Sequence, residues 1–177
     1  MNWFAPPLLT SLVLLAAPAA AAPAAADAAA AESCDRLAAF DDGSAGAPPV
    51  PFREIEARPA LSACRAAVTG SAPAPRHHLQ LARALLRLDR PAEARRHLRI
   101  AAKSAHAPAW FVLGQLYHSG TGVAEDKDRA FRLYRRSLEG GYAGAAVGLI
   151  LLHEDPASGH YDPARARAAR RVLGARD

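Results

Sequence analysis

Residues 109–138 read AWFVLGQLYHSGTGVAEDKDRAFRLYRRSL, and this stretch decides the fold. Its apolar residues recur at helical spacing on both sides of a glycine-containing segment at 120–122. Pro108 suits the first turn of the earlier helix, and Asp126 suits the N-cap of the later one. The pattern therefore predicts two helices joined by a short loop, a unit that presents a binding surface and not a reactive centre.

The same spacing recurs along the chain, which indicates internal duplication. A shift of 36 residues carries Ala109 to Ala145, Leu113 to Leu149, Asp126 to Asp162 and Ala130 to Ala166. Upstream, the same shift relates Ala94, Leu98 and His106 to Ala130, Tyr134 and Tyr142. Three helical hairpins are expected, over about 76–102, 108–139 and 142–173. A further helix begins near Pro59 and ends at Gly70, either as a cap or as the second helix of a degenerate unit.

Small residues mark the places where paired helices approach each other. Such positions are Ala82, Ala94, Gly114 and Ala130, where a large side chain would force the two backbones apart. Gly120 and Gly122 are expected to allow positive φ in a tight turn. A phosphate-binding loop is the alternative, but no Gly-Lys-Ser/Thr ending and no preceding strand pattern accompany these glycines.

Residues 113–134 resemble a Sel-one-like repeat, a relative of the tetratricopeptide repeat. The resemblance is carried by Leu113-Gly114-x-Leu116-Tyr117, by Gly120-x-Gly122-Val123 and by the series Asp126, Ala130 and Tyr134. It covers roughly residues 76–174 and implies an all-α, right-handed α-solenoid of about three antiparallel helical hairpins. It also implies a role as an adaptor or regulator that binds another protein.

Two aromatic residues at helix starts are the candidate anchors for such a partner. Trp110 and Tyr142 would serve this purpose if they are exposed on the inner face of the solenoid.

The first residues of the chain look like an export signal. An apolar run extends from Leu8 to Ala22, and cleavage is expected among the alanines at 19–26. The expected organisation is a signal peptide at 1–26, an Ala/Pro/Gly-rich linker and irregular segment at 27–58, and a helical repeat domain at 59–177. The expected location is the periplasm, and the alternative is an inner-membrane anchor formed by an uncleaved leader.

Cys34 and Cys64 are the two cysteines of the chain. An even cysteine count in an exported protein favours a disulfide between them. A free or metal-binding pair is the alternative, although no Cys-x-x-Cys spacing is present.

The charge balance is basic, with 22 Lys and Arg against 17 Asp and Glu. The cations concentrate at 76–103 and in the last helix. One interpretation is a solvated helical face, and the alternative is a surface for an anionic polymer or a membrane. Nucleic acid is not expected as a partner of an exported protein, and a membrane is expected only if the leader stays attached.

No catalytic pattern emerges from the sequence. The seven histidines are scattered over different units, and neither lysine belongs to a Ser-x-x-Lys motif. We therefore expect no enzyme activity, no cofactor and no metal, with a cell-wall-acting enzyme as the alternative.

Overall fold

The computed structural model describes residues 21–174, and all of their regular structure is helical. The helices are α1 (Ala21–Ala38), α2 (Ala57–Thr69), α3 (Pro75–Arg87), α4 (Pro91–Lys103), α5 (Ala107–Ser119), α6 (Lys127–Glu139), α7 (Ala145–Glu154) and α8 (Pro163–Gly174), with a 3-10 turn at Phe52–Glu54. The all-α prediction is confirmed. Residues 1–20 of the expected signal peptide lie outside the described residues, and residues 21–26 begin α1. None of the described helices is long and apolar enough to cross a membrane.

Consecutive helices pack against each other as antiparallel pairs. Ser137 near the end of α6 donates a hydrogen bond of 2.7 Å to the carbonyl of Ala107 at the start of α5. Asp27 in α1 accepts hydrogen bonds from the backbone and hydroxyl of Ser71, just beyond α2. His78 near the start of α3 contacts His97 in the middle of α4, and Val147 near the start of α7 lines one pocket with Leu173 near the end of α8. The pairs are stacked, because α1 also packs on α3 and α5 packs on α7.

The first pair corrects the expectation that 27–58 is a linker and irregular segment. Residues up to Ala38 belong to α1, and α2 is the second helix of a pair instead of an isolated cap. The run of alanines hides any amphipathic period, yet alanine has the highest helix propensity, so packing onto α2 and α3 is enough to form the helix. Residues 39–51 do remain irregular.

The disulfide prediction is confirmed. Cys34 of α1 and Cys64 of α2 are bonded, and both are fully buried. Next to this bond, the buried carboxylate of Asp35 accepts hydrogen bonds from Arg76 and from the Gln80 side chain. The covalent bond and the polar network together hold α1 against α2 and α3.

The local signals around the central loop are also confirmed. The Asp126 carboxylate caps α6 by accepting a hydrogen bond of 2.7 Å from the backbone N–H of Arg129. Gly120 ends α5 at φ 68°, and Gly122 has φ 66°. A Cβ on Gly122 would lie 2.5 Å from the Cβ of Pro91, so the loop needs glycine there for space as well as for conformation.

The repeated small residues lie where the helices meet. Ala82, Ala94 and Ala130 are fully buried, and Leu113 and Tyr117 are 5% and 7% exposed. Gly114 of α5 faces one edge of the Tyr134 ring. Gly148 of α7 faces the opposite edge of the same ring. The Tyr134 ring therefore fills a slot between α5 and α7.

Candidate binding groove

A groove of about 580 Å³ opens beside α3 and α5, the first helices of the second and third pairs. Its walls include α3 and α5. They also include the irregular segment 39–51, which we call the strap, and residue 52, which follows the strap at the start of the 3-10 turn. The side chains that matter most for its chemistry are Phe40, Phe52, Leu86, Phe111, Gln115 and Tyr142. Among the described residues that line it, none comes from α2, α4, α6 or α8. The second helices therefore form a different face.

Aromatic rings give the groove its apolar character. Tyr142 lies between two of them, with ring centroids 5.5 Å from Phe40 and 5.3 Å from Phe111. Tilted pairs at this separation are favourable and hold one another in place. Phe52, 45% exposed, extends the apolar surface toward solvent. These rings form a surface of fixed shape on which an apolar group can pack.

Tyr142 occupies the position that the sequence predicted for a partner anchor. It is half-buried between α6 and α7 and lines the groove. Burial raises the pKa of its hydroxyl, and the carboxylates of Asp41 and Asp42 raise it further, while Arg83 opposes them. The hydroxyl therefore stays protonated near neutral pH and is available as a hydrogen-bond donor.

Arg83 fastens the strap to α3. Its guanidinium donates hydrogen bonds of 2.5 to 2.7 Å to the carbonyls of Ala38, Ala39 and Val50. Burial lowers the pKa of Arg83 to about 10, with Tyr142 and Asp42 partly opposing the shift. The side chain is thus charged at neutral pH although it is only 6% exposed. One buried cation therefore satisfies three carbonyls that the irregular backbone leaves without helical partners.

A second contact secures the strap to the start of α5. The His106 imidazole lies 3.4 Å from the Asp42 carboxylate, and both side chains are largely buried. Burial lowers the pKa of His106, while Asp42 raises it. Together with the hydrogen bonds of Arg83, this contact places the strap along the groove.

Trp110 does not fit the sequence-based expectation of a partner anchor. It is 9% exposed and lies outside the groove, with the Arg136 guanidinium 4.6 Å above its ring. A Cβ on Gly140 would lie 2.9 Å from the same ring. Its position at a helix start places it between α5 and α6, because in a tightly joined pair the first turn of one helix faces the last turn of its partner.

The groove offers binding chemistry. Its titratable side chains are Asp41, Arg83 and Tyr142, and Arg83 is already engaged by backbone carbonyls. Within residues 21–174, no group of three or more His, Cys, Asp or Glu side chains is placed to hold a metal ion. Packing of apolar groups, supplemented by hydrogen bonds from Tyr142 and Gln115, is the interaction that these side chains support.

Sequence reasoning missed the strap and the role of Arg83. A signal was present, since Leu79, Arg83 and Leu86 lie on one helical stripe, where a lone charged residue between leucines indicates burial or a specific partner. The contribution of Phe40 had no comparable signal, because its neighbours in the irregular segment follow no period.

No protein-family model matches this chain, and a comparison with curated proteins finds no relative. The resemblance of residues 113–134 to a Sel-one-like repeat therefore stays a prediction from motifs.

Proposed function

We propose that this chain is a non-enzymatic scaffold that binds another protein through the groove. The carrying observation is the aromatic surface formed by Phe40, Phe52, Phe111 and Tyr142, which is open to solvent and held rigid by the strap. Protein interfaces are enriched in such aromatic residues, and a preformed surface avoids the entropic cost of ordering loops on binding.

The architecture that we propose is a right-handed solenoid of Sel-one-like units. Support comes from the stacked antiparallel pairs, from the turn glycines at 120 and 122 and from the buried small residues between helices. In such arrays successive units create an extended concave binding surface, and the position of the groove beside the first helices α3 and α5 supports this arrangement.

Export is part of the proposal. The buried disulfide supports an oxidising compartment, and the apolar run at 8–22 supports a cleaved leader. Cleavage at 19–26 would keep Asp27, whose carboxylate holds Ser71 at the end of α2. Sequencing the N-terminus of the protein from the exported fraction of its native host tests this, and a chain that retains residues 1–18 would contradict it.

The binding role is tested by photo-crosslinking in the native host with the full chain. A photoreactive residue replaces Gln115, which is exposed in the groove, and in a control it replaces Ser62, which is exposed on α2. A discrete adduct with another protein, identified by mass spectrometry, is expected only from position 115.

Groove variants then establish specificity. Phe52→Ser and Tyr142→Ala should abolish the adduct at position 115, whereas Tyr161→Ser, at a residue 52% exposed outside the groove, should keep it. The proposal fails if both crosslinking positions give the same adducts or if the groove variants leave the adduct unchanged. Thermal unfolding of each variant confirms that the fold is retained.

A further inference from the structure

The charge of this protein is segregated between the two sets of helices. The second helices α2, α4, α6 and α8 carry net charges of +2, +3, +3 and +4, which total +12. The first helices α1, α3, α5 and α7 carry −2, +3, 0 and −1, which cancel. The second helices are therefore strongly cationic as a set, and among the first helices only α3 is positive.

Helix α4 shows how this charge is displayed. Arg96, Arg99, Ile100 and Lys103 follow the spacing i, i+3, i+4 and i+7, so they share one face of the helix. All four are exposed, and the opposite face, with Leu98, is buried against the core. The stripe thus presents three cations around one aliphatic side chain.

The cations of this stripe are free of anionic partners. Arg96, Arg99 and Lys103 form no ion pair with any residue in 21–174, in contrast to Arg135 of α6, which is paired with Glu139. Arg132 of α6 and the α8 arginines at 167 and 171 are likewise exposed and without a described ion pair. These arginines add to the unpaired positive charge of the second helices, which an external anionic surface would complement.

We propose that this outer face, the exposed side of α4, α6 and α8, docks on a lipid bilayer that displays anionic phospholipid headgroups. Headgroup phosphates complement the free arginines. The exposed aliphatic side chains Ile100 (44%) and Leu138 (40%) favour a bilayer over a soluble polyanion, because a bilayer interface buries aliphatic groups and a polyanion does not. Since the groove lies on the other set of helices, the bilayer and a protein in the groove can be bound together.

Vesicle flotation with the full chain tests the proposal. Vesicles of phosphatidylcholine are compared with vesicles that also contain about 30% phosphatidylglycerol. Binding is expected only to the anionic vesicles, and it should weaken strongly between about 0.1 M and about 0.5 M salt because screening shortens the reach of surface charge. Equal binding to both kinds of vesicle would overturn the proposal.

Matched charge variants locate the surface. The triple variant Arg96→Gln, Arg99→Gln and Lys103→Gln should lower partitioning on the order of a hundredfold, since each cation near the surface contributes about fivefold. The control triple variant Arg36→Gln, Arg53→Gln and Arg87→Gln removes the same charge from exposed positions on α1, the 3-10 turn and α3, and should bind nearly as well as the parent. Equal losses in both triples would mean that net charge alone drives binding. The leader is common to all variants, so the differences report on the folded surface.

A final comparison separates a bilayer from a soluble polyanion. Ile100→Ser should weaken vesicle binding severalfold and leave binding to dextran sulfate unchanged. The bilayer proposal is wrong if Ile100→Ser leaves vesicle binding unchanged and dextran sulfate displaces the protein from the vesicles. In that case the surface is a polyanion site.

Discussion

Replacing Gly114 by alanine should destabilise this protein, although alanine is the better helix former. Glycine inside a helix costs about 1 kcal/mol relative to alanine, so an exposed position would gain stability from the change. At Gly114 the new Cβ would lie 2.6 Å from Cε1 and 2.7 Å from Cδ1 of Tyr134. Either the backbone that carries the new methyl group or the Tyr134 ring must therefore move.

The Tyr134 ring has no room to retreat. It is 1% exposed, and on its opposite edge Cε2 already lies 2.6 Å from the position that a Cβ on Gly148 would take. Overpacking of a tight core costs about 1 to 3 kcal/mol. After subtraction of the propensity gain of about 1 kcal/mol, the free energy of unfolding should fall by up to about 2 kcal/mol, which for a chain of this size lowers Tm by up to about 8 °C.

Thermal and urea unfolding followed by circular dichroism measure the effect. Gly159→Ala is the matched control, because its new Cβ would have only an ordinary contact of 3.7 Å with Asp128, and it should leave Tm within about 1 °C. A cycle with Tyr134→Leu should show coupling of at least about 1 kcal/mol, since the smaller side chain relieves the overlap. A Gly114→Ala protein more stable than the parent, as an exposed helical glycine would give, would refute the packing argument.

Three further outcomes are expected. Replacing Cys34 and Cys64 together by alanine should lower the free energy of unfolding by about 3 to 4 kcal/mol, from the loop entropy that the bond removes, and a urea titration that shows no change would contradict this. Arg83→Met should cost about 3 kcal/mol and expose the strap to proteolysis, because the carbonyls of Ala38 and Val50 lose their donor and that of Ala39 keeps only the Val50 N–H; unchanged amide exchange in the strap would argue against its role as a fastener. Stability should fall as the pH drops from about 7 to 5, because burial lowers the pKa of His78 and His97 in the folded state, while the unfolded imidazoles take up protons near their usual pKa. Replacing both histidines by glutamine should flatten that part of the pH profile, and an unaltered profile would assign the effect elsewhere.

Much of the fold could be predicted because its signals are local. The limits of α2 to α8 follow the apolar spacing closely, except that α7 begins at Ala145 and not near Tyr142 as expected. The carboxylates of Asp126 and Asp162 cap α6 and α8 by accepting a hydrogen bond from the backbone N–H three residues further on. The exception, α1, consists largely of alanine, and alanine satisfies a helical period in every register. The formation of α1 depends on its packing against α2 and α3, and these contacts lie outside any short stretch of sequence around α1.

The sequence by itself determined the helices from α2 onward, the turn glycines and the single possible pairing of Cys34 with Cys64, because these follow from spacing along the chain and from backbone preferences. Only the tertiary structure decided which aromatic residues face solvent. Trp110 lies in the first turn of α5 and Tyr142 in the loop before α7, yet Trp110 is covered by Arg136 and Tyr142 lines the groove. Burial of a side chain is set by what packs over it from distant parts of the chain, and the strap that completes the groove is held there by Arg83, more than thirty residues away from Val50.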